Sequence, residues 1–235
     1  MKLNPIQKAA LCTLTFFDIF DRPLTFEEIQ LYLYGATADA KTLEKELRNL
    51  IAKNKIAKLG DWYFLPGRLK FLQEYPDREK HSKNLLAQAK KNLNNLRIIP
   101  FLEMLAITNS VALGTVHSKS DIDIFTITRK NRLYTARFFL VLSLKTKGIY
   151  PKDPEDKAGK ICASFYIDDT QMNLEKIRLE KIQDIYFDFW LASLNPIYGR
   201  NAYEKFIQSN SWWEKLLPNF VSFSKIPAIL KISFW

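Results

Sequence analysis

Two short β-patterned runs lie close together in a chain that otherwise favours helices, and they constrain the fold more than any other feature. Residues 103–108 and residues 121–128 are rich in apolar and β-branched side chains, as strands are. Between them stand Asn109 and Ser110, a short apolar segment at 111–114 and a polar loop. A strand, a short helix and a second strand in so short a span predict a small sheet. With helical patterns on both sides of this segment, we expect an α+β fold.

The second run begins with two carboxylates. In a strand, residues two apart point to the same face, with Cα atoms about 6.5 Å apart. Asp121 and Asp123 should therefore project together, while Ile122 and Ile124 enter the core. Two aligned carboxylates beside a polar loop suit a hard divalent cation such as Mg²⁺, which binds oxygen ligands and bridges to phosphates. An isolated Asp-x-Asp pair is weak evidence, because such pairs also occur as solvated surface residues.

The first seventy residues predict three short helices followed by a hairpin. The helices are expected at 5–20, 25–35 and 39–53, and the hairpin at 55–65 around a Gly60-Asp61 turn. This order resembles a winged helix-turn-helix, whose third helix is the recognition helix. The exposed face of the third helix is expected to be mixed in charge, with Lys41, Lys45, Arg48, Lys53, Glu44 and Glu46. A nucleic-acid contact and a structural or protein-binding role both stay open.

Positive charge is concentrated on either side of the two strands. The 235-residue chain carries a formal charge of +10. Residues 68–97 hold eight basic and three acidic side chains, and residues 129–160 hold nine and three. Such stretches favour an anionic partner, although a charge run is often only a solvated face.

Cysteine count and hydropathy exclude several classes. Two cysteines, Cys12 and Cys162, are too few for a disulfide scaffold or a cysteine-ligated zinc site. The N-terminus becomes polar before an apolar run forms, and the apolar segment 220–235 is broken by Lys225, Pro227 and Lys231. We therefore expect no signal peptide, no membrane span and a cytoplasmic location.

The motif around the carboxylates is TNSVALG at 108–114 followed by SDIDI at 120–124. It resembles the nucleotidyltransferase fold of the DNA polymerase β superfamily, in which Gly-Ser or Gly-Gly precedes Asp-h-Asp-h by about ten residues, h being apolar. The flanks are similar to one bacterial subgroup that carries a winged helix before this domain. They include FDIF at 17–20, PLTFEEI at 23–29, the segment 62–68 and KIC at 160–162.

The resemblance implies a function and a set of roles. It implies Mg²⁺-dependent transfer of a nucleoside monophosphate from a nucleoside triphosphate such as ATP to an acceptor hydroxyl, with release of pyrophosphate. Asp121 and Asp123 would bind two Mg²⁺ ions, and Asp168 would supply the third catalytic carboxylate from a later strand. Lys119 or Arg129 would help to neutralise the triphosphate. The nucleotide-binding residues would be Asn109, Ser110, Lys119 and Ser120.

Two departures from the family pattern keep an alternative open. Asn109 stands where the family has its first glycine, and the later strand, 161–167, has acids only at its end, Asp168 and Asp169. The alternative is a catalytically decayed member that binds nucleic acid or senses a nucleotide. In either case the winged helix and the basic flanks favour a nucleic-acid or protein partner.

The expected domains are a winged helix at 1–67, a basic linking helix at 68–100, and a minimal nucleotidyltransferase domain with C-terminal helices at 101–235. Within the last domain, residues 133–144 are apolar on most sides and predict a buried crossover helix. Residues 182–194 and 202–217 predict aromatic-rich helices that belong to the core.

Overall fold

A computed structural model describes residues 2–179 and 184–220, and these residues have an α+β fold. They form two compact units. Unit 1 contains residues 2–77, 184–192 and 212–220, and unit 2 contains residues 78–179 and 193–211. This division differs from the predicted domains, because the first boundary lies at residue 77 and two late segments belong to unit 1. The predicted helix 182–194 begins outside the described residues, and the segment 221–235 lies outside them entirely.

Unit 1 begins with the three helices and the hairpin that the sequence predicts. Their bounds are α1 (Pro5–Asp18), α2 (Phe26–Leu31), α3 (Ala40–Ala52), β1 (Ala57–Leu59) and β2 (Trp62–Phe64). Asn4 and Thr25 each form a capping box at the start of a helix, and the Asp39 side chain caps α3. Leu24 and Tyr63 exchange two backbone hydrogen bonds, so the chain before α2 lies against the hairpin.

The core of unit 1 is an aromatic cluster contributed by distant parts of the chain. The Phe16 and Phe189 rings stack with centroids 4.3 Å apart, and Phe17 and Tyr32 pack edge-on or tilted around them. Phe189 lies in α7 (Ile185–Ser193), whose residues up to Ala192 belong to this unit. The late segment therefore completes the core that α1 and α2 begin.

Glu46 on α3 does not lie on the exposed face where the sequence places it. It is buried, and one carboxylate oxygen accepts hydrogen bonds from the side-chain amides of Asn4, Gln7 and Asn49 at 2.9, 2.7 and 3.3 Å. These donors, the Asn4 amide foremost, lower the pKa of Glu46. A lone acid on a helix is normally solvated. The expectation is wrong because the side-chain amides of Asn4 and Gln7, near the N-terminus, cover this one.

We expect Glu46→Gln to destabilise the protein by about 1–2 kcal/mol at pH 7, since hydrogen bonds to a charged acceptor become neutral ones. Because folding lowers the pKa of Glu46, its stabilisation is present above the unfolded pKa and is lost as the pH falls. The difference between variant and wild type should shrink below about pH 4. Urea unfolding across this range measures it. Glu44→Gln, which removes the exposed pair with Arg48, should cost less than about 0.5 kcal/mol, and equal losses would contradict the assignment.

Helix α4 (Leu69–Asn94) confirms the predicted long basic helix and runs through Pro76 without interruption. A 3-10 turn follows at Asn95–Ile98. The part of α4 after Asp77 belongs to unit 2, where Leu85, Ala89 and Leu93 enter the apolar core.

Unit 2 is built on a mixed four-stranded sheet with the order β5-β4-β3-β6. Strands β3 and β4 are antiparallel, β4 and β5 are parallel, and β3 and β6 are antiparallel. The elements are β3 (Leu102–Ile107), α5 (Asn109–Leu113), β4 (Ile122–Thr128), α6 (Leu133–Thr146), β5 (Ile161–Asp168), β6 (Asn195–Tyr198) and α8 (Arg200–Ser209). The parallel pair requires a crossover, and α6 supplies it.

The alternation predicted for β4 is confirmed. Ile122 and Ile124 are fully buried in a core formed with α4, α5 and α6. On the opposite face of the sheet, Phe125 packs against Phe206 of α8, with ring centroids 5.1 Å apart. The sheet therefore has a covered face on each side, and Asp123 lies on the same side as Phe125.

The expected helices 133–144 and 202–217 differ from the structure, which also contains a strand that was not expected. Helix α6 is not buried all round, because it exposes a row of aromatic and aliphatic side chains that includes Tyr134, Phe138 and Leu142. Residues 195–198 form strand β6 at the edge beside β3, although Pro196 disfavours a strand. Helix α8 ends at Ser209, before the end of the predicted helix 202–217, and a 3-10 turn occupies Ser211–Lys215. Among the described residues, the helices are all too short or too polar to cross a membrane.

Candidate metal and nucleotide site

Asp121, Asp123 and Cys162 form a cluster at the start of two neighbouring parallel strands. One ligand atom from each residue lies within 4.8 Å of the others, and all three residues are half-buried. Asp123 is the register partner of Cys162 in the pairing of β4 with β5. Asp121 and Asp123 share a face because they are two residues apart at the entry to β4.

The segment between β3 and β4 is hydrogen-bonded to Asp123 of the cluster. The Asn109 side-chain amide donates a 2.9 Å hydrogen bond to Asp123 Oδ2, and the Thr108 backbone N–H donates to the Asp123 carbonyl at 3.0 Å. Asn109 has φ of 53°, in the left-handed region. Asparagine tolerates this conformation better than most residues, so it keeps the turn that glycine would form. Its side chain also orients the carboxylate, which a glycine would not.

Burial raises the pKa of Asp123, and the neighbouring charge of Asp121 raises it further, while the hydrogen bond from Asn109 acts in the opposite direction. Burial likewise raises the pKa of the Cys162 thiol, with a smaller contribution from the two carboxylates. The thiol is therefore protonated at neutral pH. The cluster presents two carboxylate ligands and a neutral sulfur.

The loop before Asp121 is ordered by its own hydrogen bonds. The His117 backbone N–H donates to Ser120 Oγ at 2.8 Å, and the Ser120 N–H donates to the His117 carbonyl at 3.0 Å. Lys119 is exposed at the tip of this loop, and Ser110 is half-buried next to Asn109. Of the residues expected to bind a nucleotide, Asn109 and Ser110 therefore directly follow β3, and Lys119 and Ser120 directly precede Asp121.

The structure does not bring Asp168 to this cluster. Asp168 ends β5 and pairs with Thr128, six residues along the strand from Cys162, which is about 20 Å. Its carboxylate accepts hydrogen bonds from the Thr170 backbone and hydroxyl in the following turn. Arg129 lies at the same far end and pairs with Glu103 at 3.1 Å. The expectation that Asp168 or Arg129 completes the site is wrong because parallel pairing places the ends of β4 and β5 together, away from their starts.

Sequence reasoning missed three residues around the carboxylates. Cys162 stands beside Asp123. Lys157 is exposed, and its charge opposes the rise in the pKa of Asp123 that burial causes. The Thr108 hydroxyl is buried with no hydrogen-bond partner among the described residues. The sequence does indicate Cys162 by position. It lies at the start of a β-patterned run, as Asp121 and Asp123 lie at the start of the run 121–128.

Comparison with protein-family models, with curated proteins and with solved structures finds no match for this chain.

Proposed function

We propose that unit 2 is a Mg²⁺-dependent nucleotidyltransferase domain, which transfers a nucleoside monophosphate from a nucleoside triphosphate to an acceptor hydroxyl. One observation carries the proposal. Asp121 and Asp123 project together from the start of a central strand, next to a loop and a short helix that leave the neighbouring antiparallel strand. Hard carboxylate oxygens fit Mg²⁺, whereas a protonated thiol does not.

The reaction is an in-line displacement. The acceptor hydroxyl gives its proton to solvent water, its oxygen forms a bond to the α-phosphorus, the bond from that phosphorus to the bridging oxygen breaks, and pyrophosphate leaves. When bound, Mg²⁺ would neutralise phosphate charge and stabilise the leaving pyrophosphate. Asp121 and Asp123 would hold the ion, and Asn109 fixes the orientation of Asp123. Lys157 is exposed and its charge acts on Asp123, Lys119 is exposed in the loop before Asp121, and both ammonium groups would attract the triphosphate.

A second candidate function rests on a different observation. Cys162 occupies the strand position beside Asp123, and Asp168 is at the far end of β5. Among the described residues, the cluster therefore offers no third carboxylate to accept the proton of the acceptor hydroxyl. This supports a domain that binds the nucleotide and metal as a sensor and transfers slowly or not at all.

The acceptor, in the first case, is a small molecule, a protein side chain or a nucleic-acid end. Unit 1 supports the last two, since its three helices and hairpin follow the order of a winged helix. Lys41, Lys45 and Arg48 are exposed on α3, and Arg48 pairs with Glu44. With Glu46 turned inward, this face is more basic than the sequence indicates.

Calorimetric titration of ATP, GTP, CTP and UTP in the presence of Mg²⁺ tests the proposal. We expect the wild type to bind at least one of them, and Asp121→Asn/Asp123→Asn to bind about a hundredfold more weakly or not detectably. Asp168→Asn/Asp169→Asn is the matched control, because it removes the same charge from two aspartates of the same unit. This control should bind like the wild type.

Pyrophosphate release then separates the two functions. Release that depends on Asp121 and Asp123 supports transfer, and binding without release supports the sensor. No binding of any nucleotide by folded wild-type protein would overturn both. Equal losses in the two double variants would place the site elsewhere.

A further inference from the structure

Helix α6 presents an exposed apolar row on the outside of unit 2. Tyr134, Phe138 and Leu142, spaced four residues apart, are 83%, 61% and 46% exposed. Residues four apart on a helix lie one above the other, so they form a continuous stripe. The opposite side of the helix, with Ala136, Leu140 and Leu144, is fully buried against the sheet. The stripe is therefore displayed on a helix that is already fixed in the fold.

A cationic row runs beside this stripe. Arg137 and Lys145 alternate with Val141 along the neighbouring line of the helix, and together with the stripe they line a shallow groove of about 350 Å³. The Arg137 guanidinium lies over the Tyr166 ring at 5.6 Å, and the Lys145 ammonium lies over the Tyr150 ring at the same distance. Positive charge is thus held at the edge of an apolar surface.

The surroundings of the stripe contain more cations than acids. Residues 129–152 include seven lysines and arginines and no aspartate or glutamate. Glu103 pairs with Arg129 and Asp168 lies near Lys130 at the N-terminal end, and three acids, Asp153, Glu155 and Asp156, follow in the loop after Tyr150. Within the described part of the chain, no ion pair involves Arg132, Arg137, Lys145 or Lys147.

We propose that this face of α6 docks on the surface of an anionic lipid bilayer. A helix that presents aromatic and aliphatic side chains together with lysine and arginine matches both layers of such a surface, the acyl boundary and the negatively charged headgroups. The helix lies on the membrane and does not span it. The proposal is independent of the proposed nucleotide chemistry, because it uses none of the residues assigned to the candidate site.

Charge argues against two other occupants. A second copy of the same face would bring two cationic surfaces together, which is repulsive. Residues 221–235 of the chain add Lys225 and Lys231 and no acidic side chain, so they do not complement the face either. A nucleic acid would satisfy the cations, but it would leave Val141 and Leu142 without an apolar partner.

Co-sedimentation with phospholipid vesicles tests the proposal. We expect the full chain to bind phosphatidylcholine vesicles that contain about 30% phosphatidylserine, to bind pure phosphatidylcholine at least about tenfold more weakly, and to dissociate as salt rises above about 0.3 M. Tyr134→Ser/Phe138→Ser and Arg137→Glu/Lys145→Glu should each weaken binding about tenfold or more.

Two matched variants control for general effects of polarity and charge. Ile98→Ser/Ile177→Ser replaces apolar side chains that are 85% and 59% exposed elsewhere in unit 2, and Lys80→Glu/Lys91→Glu makes the same charge change on α4. Both should bind like the wild type. Thermal melts identify any variant that fails to fold. If one of the two α6 variants does not fold, the other α6 variant decides the result.

Four results would overturn the proposal. The first is no binding of folded wild-type protein to anionic vesicles, and the second is equal binding by the α6 variants and their controls. The third is a wild-type dimer in sedimentation velocity that Tyr134→Ser/Phe138→Ser converts to a monomer, which would assign the face to a second copy. The fourth is duplex DNA binding that Arg137→Glu/Lys145→Glu abolishes, without lipid binding, which would assign the cations to nucleic acid.

Discussion

If unit 2 is the proposed nucleotidyltransferase domain, replacing Cys162 with aspartate is expected to raise the rate of pyrophosphate release from a nucleoside triphosphate with Mg²⁺ by about a hundredfold or more. The wild-type cluster has two carboxylates and a neutral thiol, so no group at this position accepts the proton of the attacking hydroxyl. The introduced carboxylate would lie beside Asp123 in the strand register and would supply that general base. A positioned base contributes about 10²–10⁴-fold.

The comparison uses Cys162→Asn, which has the shape of aspartate and cannot take a proton. Both variants are assayed for nucleotide binding and for pyrophosphate release with Mg²⁺. If Cys162→Asp binds the nucleotide but releases pyrophosphate no faster than Cys162→Asn, the missing general base alone does not limit the rate of release. The aspartate also adds a third negative charge, so the variant should be less stable than the wild type without Mg²⁺ and should gain more from it.

Gly199→Ala is expected to destabilise the protein by about 3 kcal/mol or more. Gly199 has φ of 82° and lies between β6 and α8. A Cβ added there would stand 1.9 Å from the Glu103 carbonyl oxygen and 2.7 Å from the Met104 Cα. Both are backbone atoms, so no side chain can move aside. The edge pairing of β3 with β6 must shift, and the cost of the left-handed conformation adds to that of the clash.

Gly148→Ala is the matched substitution for this prediction. Gly148 also has positive φ, 67°, but nothing lies within 4 Å of its added Cβ. Alanine there should cost only the conformational term, about 1–2 kcal/mol. Urea unfolding of the two variants gives both values. Equal losses would show that conformation alone, rather than the close approach to β3, makes residue 199 a glycine.

The elements that rest on local chemistry were predictable from the sequence. Thr25 and Asp39 are caps, the Gly60-Asp61 turn joins two β-prone runs, and the alternation of Asp121 to Ile124 placed two carboxylates on one face. Each depends on side chains within a few positions of one another. The carboxylate pair, which defines the candidate site, belongs to this class.

The features that depend on long-range pairing were not predictable. The strand character of β5 follows from its own residues, but which end of β5 meets Asp123 depends on a parallel register set across a crossover helix. The exposed face of α6 was missed because an apolar surface normally indicates burial, and sequence alone does not show which sides a fold covers. Strand β6 exists because β3 offers a partner edge, which outweighs the local preference of Pro196.

Unit 1 combines segments from the start and the end of the chain, so its core can be completed only late in synthesis. The Tyr34 hydroxyl donates a buried hydrogen bond to Asp188, 154 positions later, and Phe189 joins the same core. At about 5–20 residues per second, a ribosome needs about 8 to 31 s to cover that interval. During this time Phe16, Phe17 and Tyr32 have been made and their partner has not. The nascent N-terminal helices must therefore keep an aromatic surface from aggregating until the late segment arrives, and a fragment that stops at residue 67 never receives it.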